Sequence, residues 1–204
     1  MLLTRREWPI LVVNVVYLTV FTAIALTRNK TEFLYYVAIV MLAGAVILWR
    51  QRTLHISTSI LWGLTVWGLL HMSGGLIRVG DGVLYEVVLL PIVQRGELVV
   101  LRYDQCVHMF GFGVATLLCH HVLALHIRAD VRRGVGFWVL IALMGCGVGA
   151  INEIVEFVAV LTMPENEVGG YLNTSLDLVA NAVGATIAVT YLARRHRPIH
   201  PPAE

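Results

Sequence analysis

The chain has 204 residues, of which 58% are hydrophobic and 14% are Asp, Glu, Lys or Arg, and its formal net charge is +2. A soluble domain has about a quarter of charged residues, so these proportions exclude a soluble globular domain, a disordered tail and a nucleic-acid-binding protein. Together with a mean hydropathy of +0.77, they indicate an integral membrane protein.

Six stretches of the sequence are long and apolar enough to cross a membrane, since about 20 mostly apolar residues span the hydrocarbon core. Because backbone groups cannot stay unpaired in lipid, we expect helices rather than open strands. The predicted spans are, in chain order, about residues 9–26, 33–49, 56–72, 103–125, 136–161 and 172–192. The predicted fold is all-α: a six-helix transmembrane bundle that forms a single domain over residues 1–204.

One long connection, residues 73–102, joins the third and fourth predicted spans. It is too polar to be a seventh span and is interrupted by turn-forming residues at Gly74-Gly75, Asp81-Gly82 and Gly96. β-Branched residues on both sides of the last turn favour a short hairpin or an interfacial cap. We therefore expect a long outer loop with little helix.

The basic residues predict the orientation in the membrane. With the N-terminus in the cytoplasm, ten Arg residues lie on the cytoplasmic side, including Arg132 and Arg197, and five Arg or Lys residues lie outside. Cytoplasmic loops have an excess of Lys and Arg. We therefore expect a multi-pass protein of the plasma (inner) membrane with both termini in the cytoplasm.

The fourth predicted span begins with polar residues that share one helical face. Asp104 and His108 are four residues apart, and Tyr103 precedes them. Residues spaced three or four apart lie on the same side of a helix. Gly111 and Ala115 continue this side, and such small residues let neighbouring membrane helices approach closely.

Spans five and six show the same pattern. Asn152 and Glu156 are four residues apart with Glu153 beside them, and Asp177 and Asn181 are also four apart. His71 lies at the end of span three, which completes the set. In the predicted orientation all four helices place these residues within about 15 Å of the outer boundary, at 1.5 Å of rise per residue.

Ionisable groups inside membrane helices usually face a cavity or one another, so the pattern predicts a polar site near the outer leaflet. Its central members are Asp104, His108, Glu153, Glu156 and Asp177, and its supporting members are His71, Asn152, Asn181 and Tyr103. As an alternative, Asp104 caps its helix and Asp177 lies in an N-terminal turn, where anions are favoured.

Carboxylates with one imidazole suit a divalent metal such as Zn, Mn or Fe and leave room for water or a phosphate oxygen. In this hypothesis the five central residues hold the metal. The catalytic groups are Glu153, Glu156, His108 and Asp104, which could act as general acid and base. A membrane lipid or lipid-linked headgroup is the expected substrate. The alternatives are a cation- or proton-coupled binding or transport protein and a non-catalytic protein whose polar cluster is structural.

The order of these motifs resembles an uncharacterised family of YjdF-like inner-membrane proteins. The residues that carry the resemblance are Leu70-His71, Tyr103-Asp104 with His108, Asn152-Glu153 with Glu156, and Asp177 with Asn181. The last three blocks also resemble a VanZ-like pattern, although the Gln-x-Arg segment of that pattern has no obvious counterpart here. VanZ-like proteins are associated with tolerance to glycopeptide antibiotics. The resemblance supports the grouping of the polar residues and implies no particular reaction.

Overall fold

A computed structural model describes residues 4–96, 98–128, 133–163 and 169–196 of the chain. Arg132 and Arg197, which contribute to the predicted orientation, lie outside these residues. The described helices are α1 (Trp8–Thr27), α2 (Thr31–Leu54), α3 (Thr58–Leu76), α4 (Tyr103–Ala124), α5 (Val135–Thr162) and α6 (Tyr171–Arg195). Each of the six predicted spans therefore corresponds to one helix.

Five helices in the described part of the chain are long and apolar enough to cross a membrane: α1, α2, α4, α5 and α6. Among the described helices, α3 is long enough to cross a membrane, but its mean hydropathy is too low for it to be counted with these five. It contains His71 together with Ser73, Gly74 and Gly75, and these residues dilute its apolar content. The chain is thus a membrane protein with several apolar helices, and the crossing of the membrane by α3 stays a prediction.

Consecutive helices run in opposite directions. The guanidinium of Arg28, just after α1, donates to the carbonyl of Leu76 at the end of α3, at 2.6 Å. At the opposite end, the amide of Gln51 donates to Glu7 at 2.6 Å and to the carbonyl of Ile56 at 3.0 Å, which joins α1, α2 and α3. We call the end where α1, α3 and α5 finish and α2, α4 and α6 begin the site end.

The connection between α3 and α4 folds over the site end. It comprises β1 (Arg78–Val79), β2 (Gly82–Val83), a 3₁₀ turn (Leu84–Glu86), β3 (Val88–Arg95) and β4 (Leu98–Arg102). The strands form two antiparallel hairpins, β1 with β2 and β3 with β4, and the register of the second is interrupted between Val88 and Val93. The described chain is therefore mostly helical rather than all-α.

The connection starts later than predicted, because α3 continues to Leu76. Ile77 still donates its backbone N–H to the carbonyl of Ser73, at 3.0 Å. Gly74 and Gly75, which were predicted to form a turn, lie inside α3 instead. A Cβ at Gly74 would collide with the ring of Tyr85, and one at Gly75 would collide with the ring of Phe33. These glycines let aromatic rings pack on the helix, so they do not end it.

Helices α4 and α6 pack backbone to backbone. A Cβ at Gly184 would meet the carbonyl oxygen of Met109 and lie 3.0 Å from the nitrogen of Gly113. On α5, a Cβ at Gly149 would lie 2.7 Å from the side-chain nitrogen of Asn181. The small residues on the polar faces therefore bring three helices close enough for short polar side chains to meet.

Candidate functional site

His108 lies at the centre of the polar cluster and is 2% exposed. Its Nδ1 is 3.1 Å from Oδ1 of Asn181 on α6 and 3.5 Å from Oε1 of Glu153 on α5. Its Nε2 is 3.6 Å from Oδ1 of Asp104, one helical turn earlier on α4. One imidazole thus joins the polar faces of three helices, as the spacing of these residues predicts.

The hydrogen bond to Asn181 defines which imidazole nitrogen is available as a ligand. The carbonyl oxygen of Asn181 can only accept, so Nδ1 of His108 carries the hydrogen. The lone pair of the neutral ring is then on Nε2, the nitrogen nearest to Asp104. This arrangement, with one nitrogen fixed by a hydrogen bond and the other free, is typical of metal-binding histidines.

Asn173 links two carboxylates on neighbouring helices. Its side-chain nitrogen donates to Oδ2 of Asp104 at 3.1 Å and to Oδ2 of Asp177 at 2.6 Å. Asp177 is fully buried, and its Oδ1 has no hydrogen-bond partner among the described residues. Asn173 was not among the predicted site residues, although it precedes Asp177 and Asn181 at intervals of four residues on the same face of α6.

The contacts of the two aspartates differ from those expected if Asp104 capped its helix and Asp177 lay in the first turn of its helix. Residue Arg102 occupies the N-cap of α4, and Asp104 contacts Asn173 and His108. Asp177 lies beyond the first turn of α6, which begins at Tyr171. Both carboxylates therefore point into the helix bundle, toward the imidazole.

Two glutamates on α5 complete the cluster. Glu153 is 8% exposed, and neither of its carboxylate oxygens has a hydrogen-bond partner in the described part of the chain. Oε1 of Glu156 accepts a hydrogen bond from Asn152 at 2.8 Å. The structure therefore brings both predicted acidic residues of α5 to the same buried region as His108.

Two sets of these side chains have ligand atoms close enough to share a metal ion. In each set the atoms lie within 4.8 Å of one another: Asp104, His108 and Asp177 in the first, and His108, Glu153 and Glu156 in the second. Two ligands about 2.1 Å from a tetrahedral zinc ion lie roughly 3.4 Å apart. The 3.6 Å between Nε2 of His108 and Oδ1 of Asp104 fits this spacing.

A cavity of about 40 Å³ lies against the cluster, and we call it the polar chamber. It is lined by Glu32, Phe33, Tyr36, His71, Tyr85, Asp104, Glu156, Gly169 and Asn173. A water molecule needs at least about 10–15 Å³, so the chamber has room for a few waters or a small polar group. Glu32, at 2% exposed, was not among the predicted site residues. In the sequence, Glu32 has the position of an acidic residue in the first turn of a helix, where such residues are common without any functional role.

The predicted supporting residues take different positions around the cluster. The ring of His71 lies 6.4 Å from the ring of His108 and forms part of the chamber wall. The hydroxyl of Tyr103 donates to the carbonyl of Leu70 at 3.1 Å, which fixes the start of α4 to α3. Asn152 and Asn181 contact Glu156 and His108 directly.

Tyr85, from the connection, closes the chamber. Its hydroxyl donates to the carbonyl of His71 at 2.5 Å. Burial, helped by the nearby charge of Asp104, raises the pKa of Tyr85 well above its usual value. The phenol therefore stays protonated at neutral pH and remains a hydrogen-bond donor.

Two larger spaces adjoin the polar chamber. The first, the apolar cavity, has a volume of about 410 Å³, lies between α1, α2, α3 and α5, and shares Tyr36, His71 and Glu156 with the chamber. The second, the polar cleft, has about the same volume, 410 Å³, and shares Tyr85, Asp104, Gly169 and Asn173 with it. The chamber thus lies between an apolar and a polar space.

Comparison with protein families matches residues 9–198 to the family described as "Predicted membrane protein (DUF2238)". Comparisons with curated proteins and with solved structures give no match. The expected resemblance to an uncharacterised membrane family is therefore confirmed, whereas its YjdF-like and VanZ-like parts stay predictions. The matched residues include the whole polar cluster, from His71 to Asn181. The chain belongs to the DUF2238 family of predicted membrane proteins.

Proposed function

We propose that the protein is a metal-dependent membrane enzyme that acts on the phosphate-bearing headgroup of a lipid or lipid-linked substrate. One observation carries the proposal: three side chains of metal-ligand type, two from α4 and one from α6, are buried and converge. Asp104, His108 and Asp177 are 8%, 2% and 0% exposed, and Oδ1 of Asp177 has no partner among the described residues.

Electrostatics supports a cation at this position. Buried carboxylate oxygens that lack a hydrogen-bond partner are costly, and two carboxylates side by side repel. Asn173 uses one oxygen of each aspartate, which leaves Oδ1 of Asp104, Oδ1 of Asp177 and Nε2 of His108 as the candidate ligands. Three protein ligands leave further coordination positions for water and substrate, as in catalytic rather than structural metal sites. Two carboxylates with one imidazole suit Zn, Mn or Fe.

The glutamates of α5 supply acid–base groups next to this set. In the proposed hydrolysis, the water oxygen forms a bond to phosphorus and the ester P–O bond breaks. One of Glu153 and Glu156 accepts a proton from the water, and the other donates one to the leaving oxygen. A bound metal would supply Lewis acidity toward the phosphate oxygens.

The membrane placement belongs to the same proposal. We place α3 across the membrane as a sixth span, both termini in the cytoplasm of a bacterial-type plasma membrane, and the site end at the outer leaflet. The excess of Arg in the connections at the opposite end supports this orientation. The polar cleft, with Arg78 and Arg102 in its lining, then faces the aqueous side, where a headgroup lies.

Cation or proton transport receives less support from the same geometry. A relay across the membrane needs polar groups along its length. The apolar cavity reaches from Glu156 and His71 toward Glu7, but the walls between them are mostly apolar side chains. The main exceptions are Asn14, Tyr17 and Thr65, which hydrogen-bond to one another in one local group and do not form a continuous polar path. A catalytic site at one end of the bundle explains the one-sided placement of the charges better.

Metal analysis of the purified protein tests the proposal. We expect about one Zn, Mn or Fe ion per chain in the wild type, and at least a tenfold lower content in Asp177→Asn, because a ligand charge is lost while the shape is retained. Asp81→Asn is the matched control for metal content, since it removes an exposed carboxylate from the β1–β2 turn, which lies in the polar cleft and outside both ligand sets. Phosphate release from phosphatidic acid vesicles should fall in parallel. Equal metal content in wild type and Asp177→Asn would contradict the proposal.

A further inference from the structure

The apolar cavity runs along most of the length of the helices that form it. On α2 its lining residues extend from Tyr36, at the site end, to Gln51 at the opposite end. At 1.5 Å of rise per residue this stretch is about 22 Å long. The hydrocarbon core of a bilayer is about 30 Å thick, so the cavity is longer than one leaflet. Its dimensions match an extended hydrocarbon chain rather than a compact solute.

The cavity exists because α2 packs on the bundle at its two ends and stands away in between. The buried residues of α2 are Glu32, Phe33, Tyr36 and Val37 near its start and Gln51 near its end, and the residues from 38 to 50 include no buried one. Such an arrangement leaves space behind the middle of the helix.

The cavity is also open to the side, between α1 and α2. Met41 on α2 and Val15 on α1 line it and are 59% and 55% exposed. Around membrane helices such a lateral opening faces lipid hydrocarbon, not water. A membrane lipid can therefore reach the cavity without leaving the bilayer.

The two ends of the cavity differ in chemistry. At the site end Tyr36, His71 and Glu156 belong both to the cavity and to the polar chamber. At the opposite end Gln51 bonds to Glu7 at 2.6 Å and closes the space with a buried polar pair. A lipid with its chain in the cavity is thus oriented with its headgroup toward the polar chamber.

We infer that the apolar cavity between α1, α2, α3 and α5 binds a hydrocarbon chain of the phosphate-bearing lipid whose headgroup reaches Asp104, His108 and Asp177. This inference rests on the proposed function for the identity of the headgroup. The lateral opening makes the substrate a bilayer lipid rather than a water-soluble phosphate ester. The polar pair at the far end limits how deeply the chain extends.

Gly44 offers a way to fill the cavity without disturbing the helices. It lies on the wall of the cavity, and a Cβ built there has no atom within 4 Å. Gly44→Phe therefore places an aromatic ring in the proposed chain site. Gly147→Phe is the matched control, because Gly147 on α5 is exposed, has the same open space around its Cβ and lies outside the lining of the cavity.

The test uses the full-length protein in nanodiscs that contain phosphatidic acid with a diazirine in one acyl chain. After illumination, we expect labelling of peptides from α1 and α2 that line the cavity. The labelling should fall at least fivefold in Gly44→Phe and stay within twofold of wild type in Gly147→Phe. Unlabelled long-chain phosphatidic acid should compete, whereas inorganic phosphate and dihexanoyl phosphatidic acid should not. Equal labelling of the two variants, or labelling spread over the lipid-facing sides of all helices, would overturn the inference.

Metal content separates this inference from the proposed function. Gly44→Phe should keep the metal content and melting temperature of the wild type, because its ring lies away from the ligand set. Loss of labelling in Gly44→Phe with retained fold supports the chain site, even if neither protein contains a metal. In that case the enzyme proposal fails while the lipid site stands. Inorganic phosphate that displaces the label would instead show that the probe binds through its headgroup alone, and the chain site would be wrong.

Discussion

The pair α4–α6 and the pair α1–α2 represent two ways of packing apolar membrane helices. In their most apolar stretches of 18 residues, 39% of the residues of α4 and 33% of those of α6 are buried, against 22% in both α1 and α2. Gly113 and Gly184 put two backbones in direct contact, whereas Gly44 faces open space. The tight pair holds ionisable side chains at fixed distances, and the loose pair leaves the apolar cavity open. The helices that fix the polar side chains are thus different from the helices that border the open cavity.

A side chain inserted between the backbones of α4 and α6 should have the largest effect on stability. We expect Gly184→Leu to destabilise the protein by about 3 kcal/mol or more, since overpacking typically costs 1–3 kcal/mol and backbone atoms cannot move aside here. The measurement is the free energy of unfolding in detergent micelles. Gly44→Leu, the same change on the loose pair, should not lower it, because a Cβ at Gly44 meets no atom within 4 Å and leucine favours the helix over glycine by about 1 kcal/mol or less. Comparable losses in both variants would remove the distinction between the pairs.

Loss of the amide that joins the two aspartates should have an intermediate effect. In Asn173→Ala, Asp104 and Asp177 lose a shared hydrogen-bond donor. Removing such an outer partner of metal ligands typically weakens metal affinity about 10–100-fold. Competition with a fluorescent chelator measures the change. Ser175→Ala, in which a hydroxyl that donates to the carbonyl of Tyr171 is lost from the same helix, should bind the metal as the wild type does. Unchanged affinity in Asn173→Ala would show that the tight pair positions its ligands without Asn173.

The smallest expected effect concerns Tyr85, which covers the region where the two pairs meet. Tyr85→Phe removes its hydrogen bond to the carbonyl of His71 and should cost about 1 kcal/mol at neutral pH. The folded-state pKa of Tyr85 is raised by burial, so its contribution is present below pH ~10 and falls as the phenol ionises in the unfolded state.

The pH dependence of stability provides the control for the Tyr85→Phe prediction. Unfolding measured between pH 8 and pH 11, around a free tyrosine pKa of about 10, should show a shallower loss of stability in Tyr85→Phe than in the wild type. Parallel curves would mean that Tyr85 is solvated in the folded protein. The neutral-pH difference would then reflect packing on Gly74 rather than a buried hydrogen bond.

The sequence predicted which polar residues converge better than it predicted the space around them. Spacing by four residues on one face identified Asp104 with His108 and Asp177 with Asn181, because this relation depends on helical geometry alone. It did not identify Glu32, whose burial depends on how α2 rotates against the other helices. Rotation is decided by packing between helices, for which an apolar sequence gives little indication.

Similar limits apply to the apolar cavity and the connection. A lipid-facing side chain and a cavity-lining one are equally apolar, so the gap behind the middle of α2 could not be predicted from hydropathy. In the connection, the glycines at 74 and 75 have the composition of a turn, but they serve as contact points for Tyr85 and Phe33 on a helix that continues. Glycine permits both the close approach of a neighbouring side chain and a turn, so the sequence alone does not distinguish the two roles.

The hydrogen bonds of Asn173 have a consequence for metal exchange. One amide nitrogen supplies a hydrogen to each of two aspartates, and so holds the carboxylates of α4 and α6 together without any cation. In small zinc domains the ion supplies much of the folding free energy, and chelators unfold them. Here the contacts between Gly184 and Met109 and the Asn173 amide assemble the ligands independently. If a metal binds as proposed, we therefore expect it to be removable and replaceable in a protein that stays folded, so that the identity of the bound ion would follow the supply of metal ions around the protein.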